Sequence, residues 1–334
     1  MIERGSPRRI AIFGTGSYTP ERVVDNEWFT QFIDTSDEWI VQRTGMHQRR
    51  WASDEQTTSD LAVEAARNAL DAAGWSAEQL DFILVGTCTP DNLLPNTAQH
   101  VHHKLQCRRD CGAIDVINAC SSFTYALTLI TSMIRSGQVG RALVIGAEKL
   151  SCFMNLKDRT SCILFGDAAG AACVGAAPEE SRSDILVCRY GTDFDYESLN
   201  IAAGGSRSPA SHETVEQGDH FVRMNGRAIY KFAVNTLTNE VRGVCEETGI
   251  EVGELACIIP HQVNIRIIHS AMENLSFPME RVFVNLDKYG NTSAASVPTA
   301  IDEAYRAGYF KRGDLIAVCA FGAGKSWGSQ LIRW

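Results

Sequence analysis

A chain of 334 residues, 45% hydrophobic and 21% charged, is long enough for two domains or one large layered unit and can fill a sizeable core. Its net charge of -9 argues against a nucleic-acid binder, whose footprint is basic. Its 11 cysteines, an odd number set mostly inside apolar segments without paired spacing, exclude a small disulfide-stapled scaffold and predict reduced thiols. Residues 1–9 lead straight into a strand-like Ile10-Ala-Ile-Phe13 too short for a signal segment, and no apolar run reaches membrane-spanning length, so a cytoplasmic location is expected.

Ile10 to Phe13 reads as a strand entering a Gly-rich turn at Gly14-Thr-Gly16. That Gly-x-Gly starts like a dinucleotide fingerprint, but the third glycine is missing and Pro20 blocks the helix that should follow. Ser36 to Trp39 fits a helix N-terminus with acidic residues in its first turn, and Trp39 and Arg43, four apart, share a helical face. Residues 58–73 carry Leu61, Ala62, Ala65, Ala66, Ala69 and Leu70 at amphipathic helical spacing, and residues 82–85 form a strand. Residues 96–105 read as a helix bearing His100 and His103, with Cys107 and Cys111 at or past its end. His100, His103 and Cys107 fall near one face and raise a metal-binding alternative, although their spacing matches no zinc pattern.

Residues 113–127 read as a buried strand running into a helix. Ile114, Val116 and Ile117 form an apolar run, then Phe123, Leu127, Ile130 and Ile134 recur at helical spacing. Cys120 sits at the joint, where unpaired N–H groups and the helix dipole favour thiolate over thiol. Residues 142–146 form a strand, and residues 162–174 give two short buried strands around a small-residue turn. A polar stretch at 179–184 and a Gly-, Ser- and acid-rich loop at 202–219 follow, so the boundary between halves is set near 178–184, giving units 1–178 and 179–334. The second half repeats the rhythm: a long helix over 228–247, a strand at 256–259, a helix from Asn264, a strand at 282–284, a helix over 295–307, and strands at 315–319 and 329–332. Strands alternating with helices in both halves predict two α/β units and suggest an internal duplication.

His261, in Pro260-His-Gln-Val-Asn264, follows a strand and precedes a helix, and Asn291, in Tyr289-Gly-Asn-Thr-Ser293, lies in a tight turn that opens a helix. Such junctions point side chains into clefts without distorting an element. A Cys, a His and an Asn supply a nucleophile, a proton partner and a neutral amide donor, the parts that thioester chemistry needs. Ala320-Phe-Gly-Ala-Gly-Lys325 adds a Gly-rich turn whose N–H groups can approach a substrate oxygen.

These segments, together with Gly14-Thr-Gly-Ser-Tyr-Thr-Pro20, Asp34-Thr-Ser-Asp-Glu-Trp39, Arg43-Thr-Gly45, Ala119-Cys-Ser-Ser122, Phe165-Gly-Asp167, Gly290 to Pro298 and Trp327-Gly-Ser329, resemble the β-ketoacyl-acyl-carrier-protein synthase III family nearly end to end. The resemblance implies a thiolase-like α/β fold, two duplicated βαβαβ halves in a five-layer αβαβα sandwich, dimeric in most members. It implies decarboxylative Claisen condensation of an acyl-coenzyme A primer with malonyl-acyl-carrier protein, initiating fatty-acid synthesis with no metal or redox cofactor. By residue matching it implies Cys120 as acyl acceptor with His261 and Asn291, and an oxyanion hole from the N–H groups of Cys120 and Ala323. Trp39, Arg43, Arg159 and Asn264 would bind coenzyme A, with Trp39 and Arg159 holding the adenine. Lys231 and Arg266 would meet the carrier protein, and Leu94 and Phe321 would border the acyl pocket.

Four departures stand out: Ser121 and Ser122 after the cysteine where Ala-Cys-Ala-Gly is common, Ala323 inside a Phe-Gly-Gly-Gly frame, Lys325 for an apolar residue, and Leu94 for a Phe. They keep open a condensing enzyme or acyltransferase of specialised metabolism with a different acceptor. A papain-like protease shares the order Cys, His, Asn but lacks the flanking Cys-Gly-x-Cys-Trp signature.

Overall fold

The first strand does not stop at its glycines. In the computed structural model, which describes residues 8–334 and so leaves most of the N-terminal stretch considered above outside the described residues, β1 runs unbroken over Ile10–Tyr18. A Cβ on Gly14 or Gly16 would lie 2.4 or 2.3 Å from the backbone nitrogen of Ala73 or Ala69. The glycines let a helix press against the strand; they do not turn it.

Next, β2 (Arg22–Asp25) and β3 (Gln48–Trp51) pair antiparallel on either side of α1 (Asp37–Thr44). The Ser36 hydroxyl caps α1 by accepting from the Trp39 N–H at 3.2 Å. The helix that presses on β1 is α2 (Thr58–Ala73), bounded by a Thr57–Asp60 capping box and the left-handed Gly74. Then come β4 (Phe82–Gly86), α3 (Thr97–Lys104), β5 (Gly112–Val116), α4 (Ser122–Arg135), β6 (Arg141–Glu148) and β7 (Ala168–Ala176). The five large strands form one sheet in the order β1-β7-β6-β4-β5.

Two expectations fail here. Residues 162–165 are a buried turn, so β7 is the one strand of that segment. The run around Ile114 is not buried: β5 is an edge strand, with Ile114 42% and Ile117 69% exposed. An apolar run alone does not distinguish a covered strand from an edge.

The second half contains β8 (Asp184–Thr192), β9 (Leu199–Ile201), α5 (His212–Glu216), β10 (Val222–Met224), α6 (Gly226–Thr248), β11 (Cys257–Pro260), α7 (Ile265–Leu275), α8 (Leu286–Tyr289), α9 (Ser296–Arg306), β12 (Leu315–Gly322) and β13 (Ser326–Arg333). Its sheet runs β11-β12-β13-β8. Read from β8, the pairing is antiparallel, antiparallel, parallel, as it is from β1 through β7, β6 and β4. The strand expected at 282–284 is reduced to a single parallel bridge, Val282 with Ile258, in the place β5 takes in the first sheet.

Helices α4 and α9 lie between the sheets, α2 and α3 cover the outer face of the first, and α6 and α7 that of the second. The central core accordingly mixes Leu84, Phe123, Leu127 and Ile130 with Ile259, Val297, Ile301 and Val318. Each such side chain contributes about 1.5–3 kcal/mol on burial. The small residues of β7 let helices close on both of its faces: a Cβ on Gly170 would sit 2.4 Å from the Thr299 nitrogen of α9. Among the described residues all eleven cysteines are free, and no helix is long and apolar enough to cross a membrane.

Candidate active site

The turn that carries Cys120 is tightly braced. Residues Ala119–Ser121 form one turn of 3-10 helix before α4, entered through Ala119 at φ 48°. Ser121 Oγ accepts from Asn118 Nδ2 at 3.0 Å and donates to Asn118 O at 2.8 Å; Ser122 Oγ accepts from Asn118 N–H at 2.8 Å and donates to Ala119 O at 2.7 Å. Ser121 Oγ also meets Ser326 Oγ of β13 at 3.0 Å, and neither Ser121 nor Ser122 lines a cavity at Cys120. From the other side Gly322 packs so closely that a Cβ would lie 2.7 Å from the Cys120 nitrogen.

The expected thiolate bias is reversed in this setting. Burial pushes the Cys120 thiol up to about 12, opposed in part by the Ser293 hydroxyl. Desolvation outweighs the helix start.

His261 follows β11, its N–H donating to Cys319 O at 2.7 Å. Its Nδ1 pairs with Ser296 Oγ at 2.7 Å, which fixes the ring and leaves Nε2 for the cavity. Burial lowers the imidazole to about 3, so it is neutral near pH 7. Asn291 is held by its N–H to Leu164 O at 2.8 Å, and its Oδ1 accepts from Ser293 N–H at 2.9 Å. With the oxygen occupied, Nδ2 is the amide atom able to donate to a ligand. The Phe165-Gly-Asp167 motif serves this turn: Gly166 N–H donates to Asn291 O at 3.0 Å, and a Cβ on Gly166 would meet Tyr289 O at 2.1 Å.

Cys120, His261 and Asn291 line one narrow cavity of about 40 Å³, together with Phe165, Phe321 and Ala323. Through Phe165, Leu199, Ala323 and Gly324 it adjoins an inner cleft of about 370 Å³ lined by Cys88, Ile117, Leu150, Ile201 and Val222. Through Met224 it adjoins an outer cleft of about 870 Å³. Four arginines, Arg43, Arg159, Arg227 and Arg266, border that outer cleft with no carboxylate among its lining residues. The guanidiniums of Arg43 and Arg159 lie over the ring of Trp39 there, 4.7 and 4.5 Å from its centre. Asn264 lines it too, with its Nδ2 donating to Arg43 O at 3.0 Å.

A narrow waist joining a cationic mouth to an apolar cleft, with a thiol, an imidazole and an amide at the waist, agrees with the resemblance. Two family models match, one described as 3-oxoacyl-[acyl-carrier-protein] synthase III over residues 114–193 and one as the C-terminal part of that enzyme over residues 245–334. A β-ketoacyl-[acyl-carrier-protein] synthase III of Caldanaerobacter subterraneus is 47% identical, covering 97% of this chain and 97% of its own. The chain belongs to the β-ketoacyl-acyl-carrier-protein synthase III family. The crystal structure of the Aquifex aeolicus synthase III is 42% identical, with a TM-score of 0.89 over 97% of this chain and 100% of its own. The priming β-ketosynthase of the R1128 polyketide pathway is 32% identical at the same TM-score, over 99% of this chain and 98% of its own.

Not every synthase III position converges. Leu94 is 86% exposed and lines neither cavity of its own chain. Lys231 is an exposed residue of α6, one turn after Arg227 and outside the outer cleft. Phe321 borders the waist, not the inner cleft, and meets the His261 ring edge-on at 5.4 Å. His100 pairs with Asn92 at 3.2 Å, and among the described residues no three His, Cys, Asp or Glu side chains cluster as metal ligands. Sequence reading missed Ser296, Ser293, Cys88 and Glu148, which support the site across the two halves. It flagged Lys325 without a role; its ammonium pairs with Asp195 at 2.9 Å, and Asp195 also holds Ser198 beside the β9–β10 ribbon.

Proposed function

We propose that this chain condenses an acyl-coenzyme A primer with malonyl-acyl-carrier protein, releasing carbon dioxide and a 3-ketoacyl-carrier protein that starts fatty-acid synthesis in the cytoplasm. The observation that carries the reading is the meeting of Cys120, His261 and Asn291 at the waist between the two clefts. The mouth arginines suit the phosphates of coenzyme A, and its adenine would slide between Trp39 and Arg159. The thin waist suits the pantetheine arm, and the apolar inner cleft the acyl chain.

Cys120 takes the acyl group while the N–H groups of Cys120 and Ala323 receive the oxyanion. The acceptor carrier protein, being acidic, docks near Lys231 and Arg266. His261 Nε2 and Asn291 Nδ2 then donate to the malonyl thioester carbonyl, so that loss of carbon dioxide leaves a stabilised enolate, which attacks the acyl-cysteine. Neutral donors fit this step, since they stabilise developing charge without a counter-charge to desolvate. No step calls for a metal or redox cofactor.

A homodimer belongs to the same proposal. The inner cleft opens beside Ile117, just past the edge strand β5, and Leu93 and Leu94, 80% and 86% exposed, lie in the loop that leads into α3, whose first N–H groups donate to Asp115 of β5. Joining two copies through β5 would cover these residues and bring Leu94 of one copy to the cleft of the other. Of the two readings, primary fatty-acid synthesis is favoured over specialised metabolism by the 47% and 42% identities to synthase III enzymes against 32% to the polyketide-priming enzyme.

Mass spectrometry after incubation with a panel of acyl-coenzyme A donors tests the reading. An acyl adduct on the Cys120 peptide is expected, absent in Cys120→Ala; an unmodified peptide across the panel would refute it.

A further inference from the structure

One buried group has no part in the reaction as described. Glu148 ends β6 with 0% exposure, and six donors converge on its carboxyl. They are the hydroxyls of Thr87 (3.1 Å), Thr89 (2.7 Å) and Ser293 (3.0 Å), the thiol of Cys88 (3.1 Å), and the N–H groups of Cys88 (3.1 Å) and Ala294 (3.4 Å). A shell made of donors suits an ionised carboxylate, although burial pushes Glu148 above its usual range. Ser293 links it to the nucleophile: the turns that carry Ser293 and Cys120 pack against each other, and Ser293 lines the inner cleft beside Cys120 and Cys88. The chain holds Ser293 at φ 49°, a conformation that costs a serine about 1–3 kcal/mol.

The charge balance decides what this arrangement can do. Were Cys120 to lose its proton to solvent while Glu148 stayed ionised, two anions would share one dry volume, at high cost. Moving the proton onto Glu148 keeps the number of charges at one. His261 offers no equivalent route, because a proton there makes a buried cation that its surroundings disfavour. The titratable groups around Glu148 are Cys88 from the loop after β4, Cys120 from the turn before α4 and, farther off, Cys152 after β6; His261 faces Cys120 from β11. Cys88 is kept a thiol by burial and by the Glu148 charge, so it acts as a donor.

We propose that Ser293 and Glu148 form a proton relay that generates the Cys120 thiolate and later reprotonates it. The relay rests on the reading of Cys120 as acyl acceptor. In acylation the Cys120 S–H bond breaks, its proton passes to Ser293 Oγ as the Ser293 proton passes to Glu148, and the sulfur electron pair bonds the acyl carbon. The departing coenzyme A thiolate takes a proton from solvent at the mouth. When condensation expels the Cys120 thiolate, the proton held on Glu148 returns through Ser293 and restores the resting state.

Two measurements on the full chain test the relay: the pH profile of Cys120 alkylation by iodoacetamide, and single-turnover acylation by the acyl-coenzyme A donor most active with the wild type. Glu148→Gln and Ser293→Ala are each expected to slow acylation on the order of 100-fold at pH 7 and to move the alkylation midpoint to higher pH. Faster alkylation of Glu148→Gln with a lower midpoint would overturn the relay, since that is the effect of removing a repelling charge with no proton role. Should Glu148→Gln fail to fold, Ser293→Ala, which keeps the carboxylate, decides alone; unchanged acylation in it also overturns the relay. A wild type that no donor acylates would instead strike the assignment of Cys120 itself.

Discussion

The turn before α4 and the turn before α9 are the same device in two halves of one chain. Each is a single turn of 3-10 helix, Ala119–Ser121 and Ser293–Ala295, entered through a non-glycine residue in the left-handed region, at φ 48° and 49°. The two turns touch across the middle layer. The first carries a thiol at its second position. The second has Ala294 there, with polar Ser293 one residue earlier and Asn291 two before that. The difference teaches how a duplicated fold acquires chemistry: both helix starts point at one cavity, so one half can supply the nucleophile and the other the neutral donors.

The sharpest way to break this division is at Asn291. Asn291→Ala is expected to acylate Cys120 within a few-fold of the wild type yet to lose condensation on the order of 100-fold, read by acyl-enzyme mass spectrometry and carbon dioxide release. Equal loss of both steps would mean that the halves do not separate them.

Two strand glycines that face the central helices, one in each sheet, differ in what they touch. A Cβ on Gly170 of the first sheet would strike the α9 backbone, Thr299 N at 2.4 Å, whereas one on Gly328 of the second meets the Thr124 side chain, with Oγ1 at 2.5 Å. Backbone cannot step aside; a side chain can. Gly170→Ala is expected to destabilise the fold by about 1–3 kcal/mol in urea unfolding and Gly328→Ala by less.

The smallest effect per step, taken over one pH unit, concerns His261. Its folded pKa of about 3 lies below the unfolded value of 6.5, so its contribution to stability is complete above pH 6.5 and is lost as pH falls toward 3. The wild type should lose up to about 1.4 kcal/mol more per pH unit through that window than His261→Gln does, by parallel unfolding at several pH values.

The sequence made the joints legible and left most of their supports hidden. Cys120, His261 and Asn291 each occupy a boundary where an apolar run meets a turn, which periodicity locates. Ser296 behind His261 and Glu148 behind Ser293 are contacts between segments 35 and 145 residues apart, and no spacing rule reaches that far. The same limit explains β5: Ile114 and Ile117 are apolar, and nothing local says that no strand lies on their far side. Gly14 and Gly16 misled for a related reason, since a glycine serving close approach of a helix looks in sequence like a glycine serving a turn. The covered strands, the amphipathic helices and their caps needed only local signals, and these the residues carry.

Three left-handed, non-glycine residues, Ala119, Ser293 and Lys325, border the cavities at Cys120. At Ala119 glycine would relax the backbone at the cost of freeing the turn that holds Cys120. At Ser293 and Lys325 it would also remove the contact to Glu148 or Asp195, so the strain there is bound up with the bonds these side chains make. Selection for heat resistance and selection for turnover therefore pull in opposite directions most plainly at Ala119, where glycine would give a sturdier fold and a looser site.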